Sequence, residues 1–165
     1  MLRFNSDHKF KIMQIADTQE IPAVSPDTLS LINNALDREK PDLVIFTGDQ
    51  IKGYSKKFKK DSAIIESTID TLVEPIAKRN IPFMVTYGNH DAQCGVDNRG
   101  QYKFYAKYDN FISGDLRNAD DVGTADIQIY SSTEDKPVFE LYIIDSHGKA
   151  KDGAGYAPVD KEQIE

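Results

Sequence analysis

Ile81-Pro82-Phe83-Met84-Val85-Thr86, then Tyr87, then Gly88-Asn89-His90-Asp91: an apolar run of strand length stops at four residues rich in hydrogen-bonding and ionisable groups. The run reads as a buried strand. The polar cluster at its end is poor core material, because an amide, an imidazole and a carboxylate each lose hydration on burial unless they find a partner. It is good material for a metal and an acid–base group. In open α/β sheets ligands lie beyond the carboxyl ends of the strands, so a strand that delivers this cluster to a sheet rim points to that fold class.

The same arrangement occurs twice upstream. Phe10–Ala16 alternates as a strand does and ends at Asp17-Thr18-Gln19. Asp42–Thr47 is nearly all apolar, as strands buried on both faces are, and ends at Gly48-Asp49. Between them Leu29, Ile32, Ala35 and Leu36 mark a helix capped by Ser25 or Asp27 and ended by Pro41. Asp61 opens a longer helix toward Asn80, with Ile64, Ile65, Ile69, Leu72, Val73, Ile76 and Ala77 in one stripe. Pro75 lies inside that stripe and predicts a kink or restart near Glu74. An aromatic helix near residues 100–110 carries Tyr102, Phe104 and Tyr105, which read as core. Ile127–Ser131 and Val138–Ile144 read as two strands joined by a turn over Ser132–Pro137. The order βαβαβ and then a hairpin predicts an α/β fold, a sheet core flanked by helices.

Parallel strands bring their ends to one edge. Asp17, Gln19, Asp49, Asn89 and His90 then fall together: two carboxylates, two amides and an imidazole. Such donors suit Mn, Fe, Mg or Zn ions, and Asp49, on the middle of the three strands, is placed to bridge two of them. Asp91 reads as a partner for His90 or as a cap of the next segment.

Bulk properties narrow the classes. The chain has 165 residues, 39% hydrophobic and 28% charged, which suits one folded domain. A net charge of −7 argues against a general nucleic-acid or anionic-membrane binder. The single cysteine, Cys94, allows no internal disulfide. No apolar stretch is long enough to span a membrane, and Met1–Lys11 has no apolar leader-like core, so a cytoplasmic location is expected. Asp160 with Gln163 resembles a capping box opening a helix near the last residue. The expectation is one domain over residues 1–165, incomplete at its C-terminus, with an unpaired sheet edge that would invite self-association.

In order and placement these motifs resemble the calcineurin-like metallophosphoesterases, whose pattern runs Asp-x-His, Gly-Asp, Gly-Asn-His-Asp/Glu and then two later histidine motifs. Gln14-Ile15-Ala16-Asp17 and Asp145-Ser146 are similar to the purple-acid-phosphatase-related branch. The resemblance covers residues 10–165, the first two-thirds or so of a family domain. It implies a sandwich of β-sheets flanked by helices and a centre of two divalent metal ions. Asp17 would bind the first metal, Asp49 would bridge, and Asn89 would bind the second. His90 would contact the phosphate and protonate the leaving group, and Asn89 would share in substrate binding. The implied substrate is a phosphate mono- or diester, attacked by a metal-activated water.

Two departures stand out. Gln19 occupies the position where the family has histidine; its carbonyl is a weaker ligand, and it reads equally as a surface residue. The later Gly-His-x-His pattern is absent, and His147, in Asp145-Ser146-His147-Gly148, reads as a loop histidine. Lys52 stands where purple acid phosphatases have a tyrosine ligand, which argues against a tyrosinate–iron site. The competing reading is a non-catalytic binding or scaffold module that keeps the fold. Lys52, Lys56, Lys57, Lys59 and Lys60 form a basic loop that is either simply solvated or able to steer anionic substrate.

Overall fold

Leu43–Thr47, the strand expected to be buried on both faces, divides its side chains between two cores. Leu43 and Ile45 pack with Leu2, Met84, Ala125, Ile127, Ile129 and Ile143. Val44 and Phe46 pack with Ile32, Leu36, Ile65, Ile69, Leu72 and Phe83. This alternation defines three layers, helices against one sheet and that sheet against a second.

The computed structural model describes residues 1–113, 122–150 and 152–164. In chain order the elements are β1 (Leu2–Arg3), β2 (Ile12–Ile15), α1 (Pro26–Glu39), β3 (Leu43–Thr47), α2 (Ser62–Ala77), β4 (Phe83–Thr86), α3 (Asn98–Ala106), β5 (Ala125–Tyr130), β6 (Pro137–Ile143) and α4 (Lys161–Ile164). Short 3-10 turns occupy Lys56–Phe58 and Asp91–Cys94. One sheet has the order β2-β3-β4, the other β1-β5-β6.

The first sheet is fully parallel. Ile15 pairs with Phe46, and Phe46 with Val85, so the three strands end nearly level. The helices that return the chain between them start and stop where local chemistry dictates. Ser25 Oγ accepts the Asp27 N–H and Lys40 closes α1 in the left-handed conformation, one residue before Pro41. The Asp61 carboxylate accepts the N–H groups of Ala63 and Ile64 at the start of α2. The restart expected near Pro75 does not occur, and α2 continues as one helix to Ala77. Pro75 is third from the helix end: its missing N–H removes one hydrogen bond of the helix, and only two helical residues follow it.

Phe111 contacts the rings of Phe83 and Tyr102, each with centroids 5.3 Å apart, and closes the helical layer. Tyr105 is fully buried there, as the aromatic helix implied. Residues 110–112 also hydrogen-bond along β4, through Phe83 N–H to Asn110 O and Ile112 N–H to Phe83 O. That covers one edge of the parallel sheet.

The second sheet pairs β5 antiparallel to β6 as the hairpin reading requires, with a register irregularity at Ile129/Tyr130. Its third member, β1, escapes sequence reading because two residues carry no periodicity. Leu2 pairs with Ile129, and the Arg3 guanidinium donates to Ser131 O, Glu134 O and Asp135 Oδ1. The hairpin turn is thus tied to the N-terminus. On the far side β6 leaves Val138, Phe139 and Tyr142 half exposed.

Candidate metal centre

The carboxyl ends of β2, β3 and β4 are tied to one another. Asp17 N–H donates to Gly48 O at 3.0 Å and Gln19 N–H to Asp49 O at 2.9 Å. His90 N–H donates to Asp49 Oδ1 at 2.9 Å. Each segment carrying a predicted site residue is therefore hydrogen-bonded directly to the next, and the three polar strand ends form one rim.

Close approach explains the glycines. Gly48 has φ +111, and a Cβ there would lie 2.6 Å from Gly88 N and 2.8 Å from Gly88 Cα. A Cβ on Gly88 would collide with the Asp49 carboxylate and backbone. The β3 and β4 ends pass too closely for any side chain between them. The next residues are bent as well: Asp17, Gln19 and Asp49 have φ of 53°, 43° and 52°. L-residues lose about 1–2 kcal/mol in that region, and such outliers gather where a site demands a particular side-chain direction.

Beneath the rim lies Asp91, 1% exposed. Its Oδ2 accepts N–H groups of Gly88 and Asp49 at 2.8 Å each, and its Oδ1 accepts the Ile51 N–H at 3.1 Å. Neither role read from the sequence describes it. Asp91 fastens the β3 end to the β4 end. Burial pushes its carboxyl up to about 6 against the pull of those three N–H donors, and the charge of Asp49 adds to the rise. Burial likewise raises the Tyr87 hydroxyl well above the usual phenol range, with Asp91 contributing.

His90 is half-buried. Its Nδ1 lies 3.1 Å from Gln93 Oε1, and Gln93 Nε2 donates to Asn89 O at 3.1 Å. With Nδ1 so engaged, Nε2 is the nitrogen left to meet a ligand. The Tyr54 ring stands edge-on to the imidazole with centroids 4.7 Å apart. Gly53, just before it, has no room for a Cβ beneath the His90 and Asp91 carbonyls.

Asp17 is exposed and Asn89 and Gln19 are half-buried. Their side chains form no hydrogen bonds among the described residues, and Asp49 keeps one carboxylate oxygen unused. These free oxygens on one rim fit a hard cation. The set is lean, however: among the described residues no three His, Cys, Asp or Glu side chains gather closely enough to hold a metal ion. Two carboxylates supplemented by amides make up the donors.

The later strand end also reaches this rim. Gly148 lies against Asn89, 3.8 Å from a Cβ built on Gly148 to Asn89 Cα. His147 turns to Asp160, with Nε2 3.2 Å from its Oδ2, and its N–H donates to Asp145 Oδ1 at 2.7 Å. Asp160 N–H donates to Gln163 Oε1 at 2.7 Å, as the capping-box reading anticipates. Gln163 Nε2 in turn donates to Asp145 O and Thr124 Oγ1.

The chain is thus a helix–sheet–sheet sandwich with oxygen donors and one histidine at the ends of its parallel strands. The chain belongs to the calcineurin-like phosphoesterase family, whose model matches residues 10–163. It is 28% identical, over 94% of its length and 44% of the relative's, to a protein of Arabidopsis thaliana named probable inactive purple acid phosphatase 14. Phosphatase DCR2 of Saccharomyces cerevisiae is 31% identical over 96% of this chain and 30% of its own length. Probable inactive purple acid phosphatase 29 of Arabidopsis thaliana is 27% identical over 88% of this chain and 42% of its own. The chain thus spans less than half the length of these relatives.

Proposed function

We propose that the protein to which this chain belongs is a metal-dependent hydrolase of phosphate mono- or diesters. One observation carries this reading: three successive parallel strand ends, hydrogen-bonded to one another, present Asp17, Asp49, Asn89 and His90 on a single rim. In this reading Asp17, Asp49 and Asn89 would hold the divalent cations, and Gln19 would offer an amide oxygen where imidazole would bind more tightly. When bound, such cations supply Lewis acidity toward the phosphoryl oxygens and acidify a water to a pKa of about 7.

The chain's own groups do the rest. Asn89 orients the phosphoryl group beside His90. The His90 imidazolium donates its proton from Nε2 to the departing ester oxygen, a contribution of about 10²–10⁴-fold. Gln93 fixes the ring through Nδ1, and the Asp49 carboxylate fixes the His90 backbone.

A second reading, a binding module that keeps the fold without catalysis, is favoured by two observations: the lean donor set and the relatives named inactive. The discriminating assay supplies Mn²⁺ to the full-length protein and measures hydrolysis of p-nitrophenyl phosphate and its bis-ester. Turnover that is lost in His90→Ala supports the hydrolase. Absence of turnover, with or without bound metal, supports the module, and absence of both turnover and metal binding defeats the hydrolase.

A further inference from the structure

Two side chains beside the metal donors meet on one ring: the Lys52 ammonium and the His90 imidazole each contact Tyr54. Lys52 Nζ lies 5.2 Å from the centre of the Tyr54 ring, and that ring meets His90 edge-on. The segment that carries them is pinned. Lys52 N–H donates to Glu20 O and Ser55 N–H to Lys52 O, each at 2.8 Å. Gly53 between them is wedged under the His90 carbonyl. Tyr54 nevertheless remains 50% exposed. The ring is held against His90 and open elsewhere, and its position owes nothing to burial in the core.

We propose that Lys52 and Tyr54 form an anion subsite beside His90 that selects phosphate monoesters over diesters, an inference that rests on the phosphoester reading. A monoester is largely dianionic at neutral pH and offers three unesterified oxygens. A diester carries one charge and fills the place of the third oxygen with a second ester group. A cation carried by the ring that packs against the leaving-group acid is the group assigned to that third oxygen in a monoester, through a charge-assisted hydrogen bond. In a diester the same ammonium meets a carbon substituent and loses hydration without return.

Tyr54 is the positioning residue. Its ring attracts the ammonium as a cation–π partner, and the same ring limits rotation of the imidazole. Lys52 comes three residues after the bridging position Asp49, so the strand end that supplies a metal donor also supplies the anion's counter-charge.

The test is calorimetric titration of the chain with inorganic phosphate, methyl phosphate and dimethyl phosphate in the presence of Mg²⁺. The ring resonances of the three histidines are monitored in parallel by NMR. Methyl phosphate should bind about tenfold or more tightly than dimethyl phosphate and shift the His90 signals. Lys52→Met and Tyr54→Leu should each remove most of that ratio, whereas Tyr54→Phe, which keeps the ring, should retain it. A ratio unchanged by Lys52→Met, with inorganic phosphate still bound, overturns the subsite and leaves the phosphoester reading standing. Failure of the unaltered chain to bind inorganic phosphate overturns the subsite, while the phosphoester reading stands or falls with the full-length assay.

Discussion

The two sheets end in different ways. The parallel sheet is covered by helices on one face, packs on the second sheet with the other, and ends in loops locked by Asp91, by the Gly48–Gly88 approach and by direct backbone bonds. The second sheet is tied at one end by Arg3 but leaves Val138, Phe139 and Tyr142 half exposed along β6. Its strand end turns His147 toward Asp160 and presents a glycine, Gly148, to Asn89. The contrast teaches where the chemistry is built. The parallel sheet holds its donors in strained, over-determined positions, while the second sheet stays open along β6 and supplies the rim with backbone.

The sharpest way to break the contrast is to unlock the parallel rim. Asp91→Ala leaves three buried N–H groups without acceptors, which should cost about 3 kcal/mol or more. Urea denaturation measures it. A change below ~0.5 kcal/mol would show that the rim holds without its clasp. Gly48→Ala comes next. The new methyl meets Gly88 backbone at under 3 Å, so about 1–3 kcal/mol should be lost, together with metal affinity, because Asp49 is the next residue.

Acid–base behaviour sharpens the comparison further. The Asp91 carboxyl is raised in the folded chain, so its stabilising contribution is full below the ordinary aspartate value and is lost as pH rises through about 6. Metal-free chain should therefore lose stability between about pH 4 and 7 at this site. The slope should flatten in Asp91→Asn, and an unaltered slope would remove the assignment.

On the second sheet the expected effects are smaller. Phe139→Lys and Val138→Lys should change stability by no more than about 0.5 kcal/mol. They should abolish the concentration-dependent self-association expected of an apolar edge, as read by sedimentation velocity.

Much of the fold was legible in the sequence, for physical reasons that differ by region. The strands β3 and β4 declared themselves because both faces are buried, and that forces unbroken apolar runs. The helices declared themselves through Ser25, Asp61 and Pro41, whose capping and breaking chemistry is local. The candidate site residues stood out because a polar cluster at a strand end has no packing purpose. Asp91 was misread because its partners are mostly backbone N–H groups about forty residues away, and backbone donors leave no mark in a sequence. Tyr54 escaped notice for a similar reason. Its contact with His90 depends on Gly53 passing beneath a carbonyl from another loop. The uninterrupted course of α2 through Pro75 shows the limit of a rule applied without position: only two helical residues follow the proline.

The central claim is that the rim made by β2, β3 and β4 holds divalent cations through Asp17, Asp49 and Asn89. Equilibrium dialysis of Mn²⁺ against the chain, beside Asp49→Asn, tests it most directly. The account predicts at least one ion bound per chain and a loss of about tenfold or more in affinity when Asp49 gives up its charge. No bound ion, or equal binding by the two proteins, would contradict it.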